Sequence, residues 1–350
     1  MFKENIITEL KAKINQNPQN IENYRNLANY YIGSDDFDSA LLIYKDILRL
    51  EPSDYQSLVN LGSICFYKKM FPEALEYNNK AKNIEPDNYV TYYNLGNIYA
   101  EIENFELSLL NYNKALELNP NNSDIYSALG YLYQDIDNLE QAKKYYKKAI
   151  ELNETNYENY INIANIEQIQ SHPQDAIINY QKAYELNSRN AKAALCLANS
   201  YATIKNYKKA QEFFEKAIEL EPTYYSALIC QAIAYSDDNQ NDRAIEILKN
   251  AIEIEPSKIN SYIILANILC DEKRYTEALA LYKNANIIEP NNEKILTFIA
   301  NIYALLNNYL QAVKYYKKAI KQAPKNNEIK LIYIEMAKNY IEEKLRGKNE

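Results

Sequence analysis

The chain has 350 residues, of which 47% are hydrophobic and 25% charged, and it contains only 5 Gly and 10 Pro. These proportions exclude a wholly disordered chain, and so few turn residues argue against an all-β or doubly wound fold. The net charge of −8 argues against a protein that binds nucleic acid through its overall charge.

The first 17 residues predict one amphipathic helix. Their apolar side chains recur at helical spacing, and Pro18 follows where the helix must end. We expect residues 1–20 to form a capping helix that packs on the segment after it. The apolar positions are Ile6, Ile7, Leu10 and Ile14.

The sequence shows no signal for export or membrane insertion. Glu4 and Glu9 lie where a signal peptide has apolar side chains. No apolar run approaches the ~18 residues that a membrane-spanning helix needs. We therefore expect a cytoplasmic protein with no membrane partner and no nucleic-acid partner.

Residues 21–326 consist of a sequence repeat with a period of 34. Eight of the prolines lie at multiples of 34 from one another, from Pro18 to Pro324. A frame that starts at Ile21 holds nine units without insertion or deletion. The predicted units are 21–54, 55–88, 89–122, 123–156, 157–190, 191–224, 225–258, 259–292 and 293–326.

Each unit predicts two helices. Positions 4, 7, 8 and 11 of a unit follow one face of a first helix, and positions 20, 24, 27 and 30 follow a face of a second. Position 8 is Gly or Ala in every unit, and positions 20 and 27 are Ala in eight of nine. Such small side chains let helices approach closely. A hairpin of two helices cannot bury its apolar face alone, so neighbouring hairpins must stack.

This pattern resembles the tetratricopeptide repeat, and the nine units cover 306 of the 350 residues. The Trp that the family usually has at position 4 is absent, and Tyr, Leu or Ala stands there, as at Tyr24 and Leu58. The resemblance implies an all-α fold, a right-handed superhelical solenoid of antiparallel helix pairs. It also implies that the first helices line the concave surface and the second helices the convex one.

Residues 327–350 are expected to close the array. Apolar side chains from Ile329 to Tyr340 predict a last helix over 327–345 with a charged outer face, as the end of a solenoid requires. We expect the tail Arg346–Glu350 to be frayed.

Two units depart from the pattern. The fifth has Glu167 at an aromatic position, and the seventh has Gln231 at a leucine position. One hypothesis is that both are softer joints. The other is ordinary sequence drift that neighbouring units tolerate.

The sequence carries no catalytic or metal-binding motif. The single His, His172, lies in a predicted turn, and none of the 4 Cys forms a CxxC pair. We expect no enzyme activity, no cofactor and no metal. Lysines alternate with tyrosines at 143–148 and 314–318, which is conceivable for a nucleic-acid patch but more typical of a solvated convex face.

Asparagine is the recurring polar residue of the predicted groove. The resemblance implies that positions 2, 5, 6, 9, 12 and 13 of the units line it. An Asn amide both donates and accepts, so a row of them suits an extended peptide backbone. Asn is also the family's usual residue there, and the row can equally serve the scaffold. The candidate groove residues are Asn26, Asn29, Asn60, Asn94, Asn97, Asn162, Asn165, Asn199, Asn267 and Asn301.

These observations predict a non-enzymatic scaffold or adaptor that binds an extended protein segment in its concave groove. Only Arg25 is basic at position 5, so the carboxylate clamp of chaperone-binding members is not evident. One alternative is a separated substrate-recognition subunit of an enzyme of the O-linked N-acetylglucosamine transferase type. Another is a self-assembling structural solenoid, since open ends can stack. Acidic Glu101 and Asp135 at the inner edge are expected to favour neutral or basic peptides.

Overall fold

The computed structural model of the protein describes residues 2–346, and within this range it contains helices and no strands. This confirms the predicted all-α repeat solenoid. The right-handed superhelix stays a prediction. Residues 347–350 of the tail that we expected to fray lie outside the described residues, and Arg346 still belongs to the last helix.

The described part of the chain forms twenty α-helices. They are α1 (Phe2–Gln16), α2 (Ile21–Ile32), α3 (Phe37–Leu50), α4 (Tyr55–Tyr67), α5 (Phe71–Ile84), α6 (Tyr89–Glu101), α7 (Phe105–Leu118), α8 (Ser123–Asp135), α9 (Leu139–Leu152), α10 (Tyr157–Ile169), α11 (Pro173–Leu186), α12 (Ala191–Thr203), α13 (Tyr207–Leu220), α14 (Tyr225–Asp237), α15 (Asn241–Ile254), α16 (Ile259–Asp271), α17 (Tyr275–Ile288), α18 (Glu293–Leu305), α19 (Tyr309–Gln322) and α20 (Asn327–Arg346).

The chain divides into two compact units, which meet in sequence between Ile166 and Glu167. Consecutive helices pack against each other from α1 through α9 in the first unit. They do so from α11 through α20 in the second unit. First helices of adjacent hairpins also contact each other: α4 packs against α6, and α6 packs against α8. Whether the fifth and seventh repeats are softer joints stays a prediction.

Asparagine and aspartate side chains begin many of these helices. Asn122 Oδ1 accepts from the backbone N–H groups of Asp124 and Ile125, and Asn104 Oδ1 accepts from Leu107 N–H. Such caps satisfy amide hydrogens that have no partner within the helix. Part of the asparagine content therefore serves helix ends.

A left-handed residue lies in the turn that follows the first helix of each hairpin. Nine residues spaced by 34 have φ between +54° and +61°, and none of them is glycine. A side chain makes this conformation less favourable, so the backbone bonds around it must hold it in place. The residues are Asp35, Lys69, Glu103, Asp137, Ser171, Lys205, Asn239, Lys273 and Asn307.

The core of a hairpin lies where small and aromatic side chains meet. A Cβ atom placed on Gly96 would come within 2.5 Å of the Tyr112 ring, and one on Gly130 would come within 2.5 Å of the Tyr146 ring. Tyr112 and Tyr146 are themselves buried. The glycines thus let an aromatic ring of the second helix lie directly on the backbone of the first.

Candidate functional site

A groove with polar and aromatic walls lies on α6 and α8 of the first compact unit. Tyr93, Asn97 and Glu101 are spaced by four residues and so share one face of α6. Tyr131 and Asp135 share a face of α8 in the same way. Contact between α6 and α8 brings the two faces together.

The groove encloses about 420 Å³. Its walls combine aromatic rings, amides and carboxylates. The lining residues are Phe66, Tyr93, Asn97, Ala100, Glu101, Tyr112, Asp124, Ser127, Ala128, Tyr131, Leu132, Asp135, Asn156 and Glu158.

The groove is acidic. Four carboxylates line it, those of Glu101, Asp124, Asp135 and Glu158, and no Lys, Arg or His is among the lining residues. Partial burial raises the pKa of Asp135, and the nearby Glu101 carboxylate raises it further. A positive group placed between these carboxylates would relieve their mutual repulsion.

Tyrosine rings form the apolar part of the groove. The Tyr93 and Tyr112 ring centroids lie 6.1 Å apart with an interplanar angle of 47°. Burial raises the pKa of Tyr93, while its hydrogen bond with Asn97 acts in the opposite direction. Burial also raises the pKa of Tyr112. Tyr93 is partly exposed and offers ring surface to a ligand, whereas Tyr112 is buried behind it with its hydroxyl donating to Asn97.

Four of the six asparagines at position 9 are tied to the scaffold by their oxygen atoms. In four hairpins a tyrosine hydroxyl of the second helix donates to the Asn Oδ1 of the first. An amide has separate donors and acceptor, so this bond leaves the Nδ2 hydrogens for another partner. The bonds are Tyr44–Asn29 at 3.0 Å, Tyr112–Asn97 at 2.7 Å, Tyr282–Asn267 at 2.5 Å and Tyr316–Asn301 at 2.5 Å.

The other predicted asparagines have varied surroundings. Asn60 Nδ2 donates to the Tyr44 hydroxyl at 2.9 Å, which links one hairpin to the next. Asn162 is 8% exposed and its Nδ2 has no partner atom. Asn199 hydrogen-bonds the Cys230 thiol, which opposes the rise in the pKa of that thiol by burial. Asn26 is exposed on α2, and Asn165 is partly buried on α10.

Only part of the predicted row therefore meets in one site. The α6–α8 groove contains Asn97 together with the predicted Glu101 and Asp135. Asn94 lies beside it, in a smaller cavity that Asn97 also lines. The remaining eight candidates are not among the residues that line the groove.

Sequence reasoning missed two acidic walls of the groove. Asp124 lies in the first turn of α8, and Glu158 lies in the first turn of α10, in the next hairpin. Both occupy position 2 of their units, one of the positions that the resemblance assigns to the groove. The stacking of three hairpins brings them to the same groove as Glu101 and Asp135. A charge count restricted to the first helices of neighbouring units would have suggested them.

The lysine-rich segment of α9 borders a different cavity, of about 730 Å³. Lys144, Lys147 and Lys148 are exposed there, and Lys148 Nζ pairs with Glu151 Oε2 at 2.8 Å. The side chains of Tyr126 and Tyr145 complete the wall. Glutamates interrupt the positive charge, as expected for a solvated face.

The described residues contain no group of three or more His, Cys, Asp or Glu arranged to hold a metal ion. Among the helices within residues 2–346, none has both the length and the apolar character needed to cross a bilayer.

Family models match most of the chain. Those described as TPR repeat or tetratricopeptide repeat match residues 25–89, 96–137, 123–156 and 269–333. The chain is a tetratricopeptide repeat protein. One further model that matches this tetratricopeptide repeat chain, over residues 204–285, is described as anaphase-promoting complex, cyclosome, subunit 3. No curated protein matches the sequence.

Solved structures share the tetratricopeptide repeat fold. The C-terminal part of a TPR repeat-containing protein from Cytophaga hutchinsonii is 20% identical with a TM-score of 0.58, and the match covers 69% of this chain and 99% of that one. A chain of the APC/C hetero-tetramer Cut9–Hcn1 is 15% identical with a TM-score of 0.52, and the match covers 83% of this chain and 57% of that one. YrrB, described as a TPR protein with an unusual peptide-binding site, is 23% identical with a TM-score of 0.46, and the match covers 53% of this chain and 95% of that one.

Tetratricopeptide repeats are typically non-catalytic scaffolds for protein interactions, and the matches support that role for this chain.

Proposed function

We propose that this tetratricopeptide repeat protein is a scaffold that binds an extended, neutral-to-basic protein segment in the α6–α8 groove. The observation that carries the proposal is the composition of the groove walls. Four carboxylates surround a tyrosine-lined surface, and no basic side chain lies among the lining residues. Like charges held together without a counter-charge favour a cationic ligand.

Each part of the groove has a separate role in this proposal. Asn97 Oδ1 is held by the Tyr112 hydroxyl at 2.7 Å, which fixes the orientation of the amide. One Nδ2 hydrogen is shared with the Tyr93 hydroxyl, and the other donates to a peptide carbonyl whatever the side chain of that residue. Tyr93 and Tyr131 provide flat apolar contact for ligand side chains, as aromatic residues do at many interfaces.

The carboxylates select by charge. Glu101 and Asp135 lie on adjacent helices, and the raised pKa of Asp135 reflects in part the Glu101 charge. A lysine or arginine of the ligand placed between them removes this repulsion. Because the groove is open to solvent, the attraction weakens as salt is added.

Binding of labelled lysine-rich peptides, compared with glutamate-rich peptides of matched length, tests the proposal by fluorescence anisotropy. We expect tighter binding of the lysine-rich peptides. The double variant Glu101→Gln/Asp135→Asn should weaken it by about 2- to 30-fold, since each exposed ion pair contributes about 0.2–1 kcal/mol.

A matched control removes the same charge elsewhere in the first compact unit. Asp87 and Glu106 are exposed and do not line the groove. The variant Asp87→Asn/Glu106→Gln should bind lysine-rich peptides as the wild type does. Equal weakening by both double variants would show that binding depends on overall charge and would refute a role for the groove.

A further inference from the structure

A second, smaller cavity lies against the groove. It encloses about 170 Å³ and is lined by residues of α4, α5 and α6. Phe66 and Asn97 line both this cavity and the groove, so the two are adjacent. The other lining residues are Gly62, Ser63, Asn78, Asn94 and Ile98.

The cavity exists because one repeat lacks its aromatic residue. Position 24 of a unit is Tyr in six of nine units, but in the second unit it is Asn78. In the hairpins of Tyr112 and Tyr146, a ring lies against the glycine of the first helix. In the second hairpin Gly62 has the shorter Asn78 side chain against it instead. The cavity thus occupies the position of a missing tyrosine ring.

The polar atoms around the cavity also fit a tyrosine. In the first hairpin, Asn60 Nδ2 donates to the Tyr44 hydroxyl at 2.9 Å. Asn94 is the equivalent of Asn60 one repeat later, and its buried Nδ2 has no hydrogen-bond partner. A donor that meets a tyrosine hydroxyl in one repeat is thus left without one in the next.

Asn78 supplies a second unpartnered atom. Its side chain is 0% exposed, and its Nδ2 donates to Ala74 O at 2.8 Å. Its Oδ1 is buried and has no partner. The cavity therefore offers one donor and one acceptor, which match the acceptor and donor of a single hydroxyl group.

We propose that this cavity is a side-chain pocket that takes a tyrosine of the bound segment. The proposal rests on the proposed function, because the tyrosine belongs to the segment in the groove. The ligand ring takes the place that Tyr44 or Tyr112 has in other hairpins, and its hydroxyl pairs with Asn94 Nδ2. A volume of 170 Å³ is enough for one aromatic ring, because apolar cavities of ~150 Å³ take up benzene.

The experiment uses p-cresol, the side-chain analogue of tyrosine, on the full chain, with toluene as the analogue without a hydroxyl. Calorimetric titration and ligand-observed NMR measure both affinities. We expect saturable binding of p-cresol, about tenfold tighter than that of toluene, because toluene leaves both polar atoms unpaired. Absence of saturable p-cresol binding, or equal affinities for the two compounds, would overturn the proposal.

Three variants locate the binding. Asn78→Tyr fills the cavity with the side chain that other repeats have there, and it should weaken p-cresol binding at least about tenfold. Asn79→Tyr adds the same side chain at the adjacent position, which does not line the cavity, and should leave binding unchanged. Asn94→Ala keeps the cavity open and leaves the Asn78 acceptor but removes the donor, so the preference for p-cresol over toluene should be reduced.

The variants also give the contrary results. Equal p-cresol binding by wild type and Asn78→Tyr, or an undiminished preference for p-cresol in Asn94→Ala, would refute the pocket. Because the probe is p-cresol alone, these results do not depend on binding of lysine-rich peptides. A groove that fails to bind such peptides would refute the proposed function and leave the pocket result standing.

Discussion

Replacing a buried alanine of α13 by leucine tests the packing on which the hairpins depend. Ala210 and Ala217 are each 0% exposed and lie on either side of Phe213 and Phe214, which are also buried. Leucine adds three carbon atoms to a close-packed site, and such overpacking costs about 1–3 kcal/mol. We therefore expect Ala210→Leu and Ala217→Leu each to lower the free energy of unfolding by about that amount.

The control must be an exposed residue of the same helix with no ring contact. Lys209 is exposed in sequence pattern and structure, but its Nζ lies 5.0 Å from the Tyr201 ring centroid and 3.5 Å from the Tyr201 hydroxyl. Lys209→Leu should therefore cost about 0.5–1 kcal/mol. Lys208 is exposed, and Lys208→Leu should change stability by no more than about 0.5 kcal/mol.

Native-state amide exchange is the appropriate assay, because long repeat arrays do not unfold in a single two-state step. The alanine variants should lower protection from exchange most in α13 itself and in α12 and α14, which pack against it. Circular dichroism should show that helix content is retained. Equal and small effects of all four substitutions would refute the assignment of the alanines to the close-packed face.

Three further predictions follow from single contacts. Asn97→Ala leaves the buried Tyr112 hydroxyl without its acceptor and should lower the local free energy of unfolding, measured by native-state amide exchange, by about 1–3 kcal/mol. Asn199→Ala should lower it less, because the hairpin partner of Asn199 is Phe214, which has no hydroxyl. Lys205→Gly relieves a φ of +58° and should raise the unfolding midpoint, which no change or a decrease would contradict. The pKa of Asp135 is raised in the folded protein, so between the ordinary and the raised pKa the folded form keeps a proton that the unfolded form releases. Stability should therefore fall as pH rises through this window. Asp135→Asn should remove that fall and be more stable than wild type at pH 7, as measured by melting temperature against pH.

Sequence periodicity predicts the helices well because each repeat is read in the same register. The unit boundary at Ile21 coincides with the start of α2, and the alanines at Ala210 and Ala217 are buried as the helical spacing indicates. These features depend only on local spacing and side-chain size. They are therefore available from one sequence.

The roles of individual polar atoms could not be predicted in the same way. Asn97 and Asn78 are the same residue type, yet one accepts from a tyrosine and the other has an unpartnered oxygen. Whether an asparagine oxygen has a partner depends on the side chains of the facing helix and of the next repeat, such as Tyr112 for Asn97. The contact of Lys209 with Tyr201 likewise arises between two helices, so an exposed lysine in the pattern is not an isolated one.

The acidic character of the groove was only partly predictable. Glu101 and Asp135 occupy equivalent positions of neighbouring units, so the repeat frame places them together. Asp124 and Glu158 share position 2 of their units, which the resemblance also assigns to the groove. That these two carboxylates meet Glu101 and Asp135 in one groove follows from the stacking of hairpins. The sequence shows that Asn78 stands where most other units have Tyr. Only the structure shows that this substitution leaves a cavity.

Site-specific photo-crosslinking in the source cell tests the central claim most directly. A photoreactive phenylalanine derivative placed at Tyr131, a groove residue that is 44% exposed, should crosslink a neutral or basic protein segment. The same group at Leu110, which is 64% exposed on α7 and does not line the groove, should give little of that product. Glu101→Gln/Asp135→Asn should greatly reduce the product at Tyr131. Equal crosslinking from the two positions, or a yield at Tyr131 that the carboxylate variant leaves unchanged, would contradict binding in the acidic groove.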